Sequence, residues 1–600
     1  MVATAVNHSQ SQLPWRLIYL TVGFVSLSIG TFIAWNNPAT GYEISIYTHS
    51  PVLYWVGVAI AFIAAAGVTV SNPGDAKAGI AMVLGGLAAL TIGGLPVIRG
   101  YRFYGLGDAM THLGWSEELR TNLIGFFDLF YPAAHSVSVL LAEFAGLTTE
   151  QSLITFMVVM IALFILFVPL SAHAISNQSR VTIIAAFSGF MLLPFTTIST
   201  ALHFHTYSIG VLFLPLVLYL LIKYLTSQSG QPTVLGLFNS WMIMLVAAGL
   251  VMLFIHPQVK FNVILLIGSL VFVQLVLIRR PNHVLGGLQP VILVFVVLSL
   301  AWLLWMMQFP EYFSRGNRIL GAVRATLMGT AQPGETVTAQ TTSARAIGAS
   351  TAELFVKIFL VPLLYSVFAI LAGIIVFLGR GGCEEHHTAP MVSYFAISGI
   401  VLVPFFLLHF AGDISHLFFR HVGFALAMVT IIGAIGFHLG ANLIWSGRVR
   451  LTAKTIVVAM LAVMLLLSLL IAFPSPYIYN QSHHATDQDM SGHATAFAVS
   501  DPTIPYSGIR NWPHRYADAL TIEFNNPTVA GIDGDELAEP TTARASAYYL
   551  PISLVDVERE VIAYKELRYS AATFENLDSR HGVDRVMDNG EFSLYHVRTD

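Results

Sequence analysis

Charge and cysteine are the two things this sequence has least of. Only 10% of its 600 residues are Asp, Glu, Lys or Arg, where a soluble globular chain carries about 25%. That scarcity excludes an ordinary soluble domain for most of the length. The single cysteine, Cys383, excludes an internal disulfide framework, so any part outside a membrane folds on its own core. A net charge of −4 is too small to argue for nucleic acid as a partner. What fills the space is apolar: 56% of residues are hydrophobic and the mean hydropathy is +0.71.

The apolar residues come in runs from Leu17 to Phe473, each long enough to cross a hydrocarbon core of about 30 Å as a helix. The runs predict an α-helical polytopic membrane protein of about 13 transmembrane helices. They lie near 17–35, 52–70, 78–98, 152–174, 181–200, 206–225, 234–256, 259–278, 287–306, 351–378, 391–411, 415–440 and 453–473. The first run is long and lacks a small-residue cleavage pattern, so it reads as a retained span. Tyr131–Leu147 is apolar but short, begins at a proline and holds His135 and Glu143, which suits a re-entrant or interfacial segment. Residues 1–473 form the transmembrane domain, with long loops at 99–151 and 307–350. From 474 to 600 Asp, Glu, His and Arg return, and an extracytoplasmic α/β domain is expected, with a helix at Val557–Asn576 and a closing hairpin at Arg585–Arg598.

Orientation follows from Lys and Arg in short connections. With the N-terminus cytoplasmic, that side holds Arg16, Lys77, Arg180, Lys223, Arg279, Arg280, Arg380, Arg448, Arg450 and Lys454. The 36–51 loop on the other side has neither residue, and an odd number of spans places the C-terminal domain outside.

With that topology, out-of-place polar residues gather at one surface. They are Asp108 and His112 after the third span, His135, His203-Phe-His205, His256 with Lys260 just beyond, Asp413 with His416, and Arg420. Ionisable groups at membrane depth are costly and mark a functional cavity by default. Each also has a plain structural reading. Asp108 suits a helix N-cap; Asp108 and His112, four apart, share a helix face and either meet one ligand or form an ordinary pair. The two histidines at 203 and 205 suit headgroup level, His256-Pro257 suits a helix end, and Asp413 with Arg420 suits a buried ion pair. The joint clustering is what points to function. The 307–350 loop adds Arg315, Arg318, Arg324 and Arg345, charges able to attract a lipid phosphate.

Taken together, Gly107-Asp108 in a loop before the main bundle, Tyr131-Pro132 with His135, the run of apolar helices and a small end domain closing on Arg585-Val-Met-Asp-Asn-Gly-Glu-Phe-Ser-Leu-Tyr595 resemble the GT-C superfamily of membrane glycosyltransferases, its archaeal members especially. The resemblance implies a GT-C-like fold, with 116–130 and 131–147 as two juxtamembrane helices. It also implies transfer of a hexosyl or pentosyl group from a polyprenyl (dolichyl) phosphate donor to a glycan, lipid or protein acceptor on the extracytoplasmic face. Asp108 takes the place of the family's first-loop acid and is the expected catalytic base. His112, His135, His203, His205, His256, Lys260, Asp413, His416 and Arg420 are the expected substrate- and phosphate-binding set, and Asp108, His112 and His205 the expected ligands of a divalent cation, Mg or Mn. The chain departs from the family pattern in an extra hairpin at 17–70, in His203-Phe-His205 where a second acidic motif is expected, and in lacking a WWD signature, which argues against transfer of a whole oligosaccharide. Two other classes stay open on the residues alone: a transporter or flippase, whose broken helices and mid-membrane charges should come in paired halves, and a non-enzymatic membrane protein whose outer domain binds partners.

Overall fold

The computed structural model describes residues 15–198, 200–227, 233–234, 238–277, 288–310, 316–317, 320–321, 324–325, 328–330, 335–379, 387–411, 417–444, 450–510, 513–540 and 545–598. In hydrocarbon only a closed ladder satisfies every backbone N–H and C=O, so the apolar runs are helical. In chain order the helices are α1 (Trp15–Trp35), α2 (Val52–Ser71), α3 (Ala76–Gly93), α4 (Asp108–Arg120), α5 (Pro132–Ala145), α6 (Thr149–Ser176), α7 (Ser179–Phe190), α8 (Thr206–Leu225), α9 (Ser240–Ile255), α10 (Pro257–Leu277), α11 (Ile292–Met306), α12 (Thr351–Phe377), α13 (Thr388–Ala411), α14 (Leu417–Ile444) and α15 (Arg450–Leu469).

Among the described residues α1, α2, α3, α6, α8, α10, α12, α13 and α14 are long and apolar enough to cross a membrane, and α7, α9, α11 and the Thr455–Leu469 part of α15 are apolar but shorter. Nine of the expected spans therefore coincide with helices able to cross, and the other four fall on shorter apolar helices. The protein is an integral membrane protein. The run expected to reach residue 200 stops at Phe190, because Leu192 and Thr197 take positive φ of 50° and 59° and turn the chain. Of the 307–350 loop, Glu335–Ala346 is helical, while Arg315 and Arg318 lie outside the described residues.

α8 and α14 are the most enclosed spans. The α12–α14 crossing is a backbone contact: a Cβ on Gly436 would sit 1.8 Å from the Phe368 carbonyl oxygen, so a small residue is what lets these helices meet.

At one end of the bundle the 99–151 loop is tied to both chain halves. Arg99 is buried and ion-paired with buried Glu43, its Nη1 donates to the His49 carbonyl at 2.6 Å, and the Tyr101 hydroxyl donates to Glu43. The Tyr101 ring stacks on His484, with centroids 3.8 Å apart and planes 14° apart. Just beyond, β1 (Phe103–Tyr104) pairs antiparallel with β2 (His484–Ala485), Phe103 opposite Ala485 and Tyr104 opposite His484. The segment after the last span is thus knitted into the first long loop.

The C-terminal region holds α16 (Asp487–Val499), α17 (Pro513–Ala519) and the strands β3 (Ala547–Ser553), β4 (Val583–Asp588) and β5 (Phe592–Arg598). The strands form an antiparallel sheet ordered β3-β5-β4. The expected closing hairpin is present, turning at Asn589-Gly590, where Gly590 has φ +98° and so suits a residue without a Cβ. The expected helix over Val557–Asn576 is not continuous. Leu554–Glu558 and Ala571–Glu575 are separate short helices, and Lys565 and Glu566 between them have φ of 50° and 59°. Fully buried Glu560 lies in the helical turn Arg559–Ala563 that continues the first of these helices; it accepts from Arg510 Nε at 2.5 Å and from the Arg568 backbone N–H at 3.3 Å and so holds the residues after Ala563 in a loop.

Candidate active site

The site is built on α4 and α5, which the family resemblance implies at 116–130 and 131–147 but which run over Asp108–Arg120 and Pro132–Ala145. α4 starts early because Gly107, at φ 61° and ψ −120°, turns the chain out of β1 in a conformation that favours glycine. Asp108 is therefore in the first helical turn and is not the cap, which is Gly107. There a carboxylate is favoured by the helix dipole. Proline opens α5 at its first position and left-handed Gly146 closes it, as the preferences for helix ends require.

One turn after Asp108, His112 faces inward and is buried. Its Nδ1 lies 3.1 Å from His135 Nε2, and His135 Nδ1 lies 3.1 Å from the Tyr131 carbonyl. A neutral imidazole can donate from one nitrogen only, so the carbonyl makes Nδ1 the donor of His135 and leaves its Nε2 to accept from His112. The 203–205 loop enters from α8: the His205 ring is 6.0 Å from His112 and 6.4 Å from His203. His203 Nδ1 lies 2.9 Å from Nδ1 of His483, delivered by the chain next to β2. His256 is the extended residue between α9 and α10, at φ −161°; its ring stacks on Tyr131 at 5.8 Å and meets Tyr207 edge-on at 5.4 Å. Arg420 in α14 lies over Tyr207 at 5.6 Å and donates to Gln258 Oε1 at 3.2 Å.

Most of the expected set therefore converges on one place: His112, His135, His203, His205, His256 and Arg420, with Asp108 at the rim. Lys260 is the exception. Its ammonium is fully buried and donates to the Gly249 carbonyl at 2.8 Å, turned down the α9–α10 hairpin, because a buried cation must find an acceptor and Gly249 leaves its carbonyl uncovered. Asp413 and His416 lie outside the described residues.

Burial governs the electrostatics. It pushes His135 and His203 down to about 4, Asp108 partly opposing this at His203. It holds His112 and His483 well below the ordinary histidine range, with neighbouring histidines adding to the effect. Burial, and after it Arg420, does the same for His205 and His256. The cluster is thus a set of neutral imidazoles at pH 7, able to donate and accept hydrogen bonds.

The linkage has a defined sign. Histidines with an unfolded value near 6.5 and a folded value of about 4 bind more protons when unfolded, so stability is full above pH ~6.5 and falls as pH drops toward ~4. Melting the detergent-solubilised protein from pH 7.5 to 4.5 should show a falling midpoint below ~6.5. His203→Gln should flatten that slope; an unchanged slope would mean that this histidine is not the source.

The expected cation ligands do not form a set. Asp108 is engaged by Arg515, whose Nη2 donates to Oδ1 at 2.7 Å, and His112 by His135. Among the described residues no group of three His, Cys, Asp or Glu side chains is placed to hold a metal ion. At the site, His256 Nδ1 and Gln258 Nε2 are buried beside Arg420 and have no hydrogen-bond partner among the described residues.

Sequence reasoning missed Arg515 and His483, and it gave Gln258 of the His256-Pro-Gln258 turn no role. His483 stands beside His484 in a polar stretch right after the last span, and Gln258 follows His256-Pro257; both carried a signal. Arg515 carried none, since Asp108 is 407 residues away.

No protein-family model matches the chain, and no curated protein does. Among solved structures, the chain is similar to ArnT from Cupriavidus metallidurans bound to undecaprenyl phosphate, with 15% identity over 86% of this chain and 97% of that one at a TM-score of 0.46. It is similar to the apo oligosaccharyltransferase of Archaeoglobus fulgidus, with 12% identity over 82% and 72% at a TM-score of 0.47. It is also similar to the arabinofuranosyltransferase AftD from Mycobacteria, with 12% identity over 86% of this chain and 40% of that one at a TM-score of 0.45.

Proposed function

We propose that this protein is a membrane glycosyltransferase that moves a sugar from a polyprenyl phosphate donor to a glycan, lipid or protein acceptor on the extracytoplasmic face. The observation that carries the reading is the convergence, at one end of the bundle, of an exposed carboxylate with a buried set of neutral hydrogen-bond donors and the Arg420 guanidinium. Those are the two things the reaction requires. Asp108 takes the proton of the acceptor hydroxyl. The acceptor oxygen bonds to the anomeric carbon as the bond from that carbon to the phosphate oxygen breaks, and the electron pair stays on the phosphate. Arg420, the Gln258 amide nitrogen and the neutral histidines accommodate that charge. A phosphate is a good leaving group, so no acid is assigned to the departing oxygen.

The rival class of transporter or flippase predicts paired half-sites at mid-membrane; here the polar residues gather at one end.

Arg420 supplies the test of the donor half. Loss of a charge-assisted hydrogen bond is worth ~1.5–3 kcal/mol, so Arg420→Ala should raise the dissociation constant of polyprenyl phosphate in nanodiscs by roughly 10-fold or more. Unchanged binding would remove Arg420 from the site.

A further inference from the structure

The proposed base is held by the C-terminal domain. Arg515, in α17, makes a two-pronged contact with the first turn of α4: Nη2 donates to Asp108 Oδ1 at 2.7 Å and Nη1 to Thr111 Oγ1 at 2.6 Å. Thr111 donates its own hydroxyl hydrogen bond to Asp518 Oδ2 at 2.6 Å, one turn further along the same short helix. Three hydrogen bonds thus link two residues of α4 with two of α17 in a closed arrangement.

The seating of α17 leaves this contact little freedom. A Cβ on Gly114 would lie 2.0 Å from the Asp518 carbonyl oxygen, so the two backbones touch where only glycine fits. From behind, buried Tyr516 donates to Asp489 Oδ2 at 2.7 Å and stacks on His493, with centroids 3.6 Å apart and planes 3° apart. The guanidinium is planar and presents its donors in a fixed fork, so where it sits determines which oxygen of Asp108 it takes. It takes Oδ1. Oδ2 has no hydrogen bond among the described residues, and the side chain is 62% exposed.

From this geometry we infer that Arg515 is a positioning residue: it engages Asp108 Oδ1 and so leaves Oδ2 as the oxygen that receives the acceptor proton, in a fixed direction. The inference rests on the reading of Asp108 as the base and extends it, because it makes the C-terminal domain part of the catalytic geometry. Displacing a positioned group by about 1 Å can cost roughly 100-fold in rate, while a group that never touches the donor leaves donor binding alone.

Two measurements separate this inference from the reading beneath it. Full-length protein in proteoliposomes is given a panel of polyprenyl-phosphate-linked hexoses and pentoses with a membrane glycan extract as acceptor, and polyprenyl phosphate release is followed. Arg515→Ala should lower kcat by roughly 100-fold with little change in KM for the donor, and Arg515→Lys, which keeps the charge but not the fork, should recover part of the loss. In parallel, a water-soluble carbodiimide is applied and modification of Asp108 is read by mass spectrometry. The Ala variant should be modified several-fold faster than wild type while melting at the same temperature. Equal labelling, or an Ala variant with wild-type kcat, overturns the positioning role. A wild type that cleaves no donor overturns the proposed function, and the labelling result still decides whether Arg515 covers Asp108.

Discussion

Asp108→Asn should reduce sugar transfer by roughly 10²–10⁴-fold, the range expected for removal of a general base, without unfolding the protein. An amide fills the same space and can still accept from Arg515 through its oxygen, so the α4–α17 contact at 2.7 Å is largely kept. What the amide cannot do is take up the acceptor proton. The loss should therefore fall on kcat, with donor binding near wild type because Arg420, Gln258 and His256 are untouched. Transfer assays on membranes holding equal amounts of each protein check this. A variant with full activity would remove Asp108 from the chemistry, leaving the carboxylate as a tie between α4 and the C-terminal domain.

The second large effect lies behind the site. Glu43→Gln should destabilise the protein by about 3–5 kcal/mol, because breaking a buried ion pair leaves an uncompensated charge. Arg99 is buried and ion-paired with Glu43, and Tyr101 donates to the same carboxylate. That joint sets the start of the 99–151 loop, so β1 should lose its register with β2 and His483 its placement against His203. The expected readout is a lower melting midpoint together with reduced activity. Replacing both partners with methionine should recover much of the stability, since a buried pair replaced by apolar groups of similar size is often neutral or better. If Glu43→Gln melts like wild type, the joint is not what anchors the loop.

How much of this was legible in the sequence depends on whether the controlling physics is local. The spans were legible because a bilayer demands a long apolar run and punishes anything else, and the Asn589-Gly590 hairpin was legible because a tight turn demands its own residue types. The histidine cluster was legible at its outline: His112, His203, His205 and His256 stand where apolar helices end. Lys260 carried the same signal and points elsewhere, since the residue type shows that an acceptor is required and not which one. The failures depend on distant partners. Glu560 breaks the expected 557–576 helix through Arg510, and the start of α4 is set by the conformation of Gly107, which the range 116–130 implied by the resemblance did not register. Arg515 is the extreme case, a residue whose role exists only once α17 touches α4.

The most direct test is donor cleavage by the wild-type protein. Reconstituted in proteoliposomes with labelled polyprenyl-phosphate-linked hexoses and pentoses and a membrane glycan extract as acceptor, it should release polyprenyl phosphate from at least one donor and deposit the label on the acceptor, with Asp108→Asn giving roughly 10²–10⁴-fold less. Release from no donor, or equal release by the two proteins, would contradict a transferase site built around Asp108.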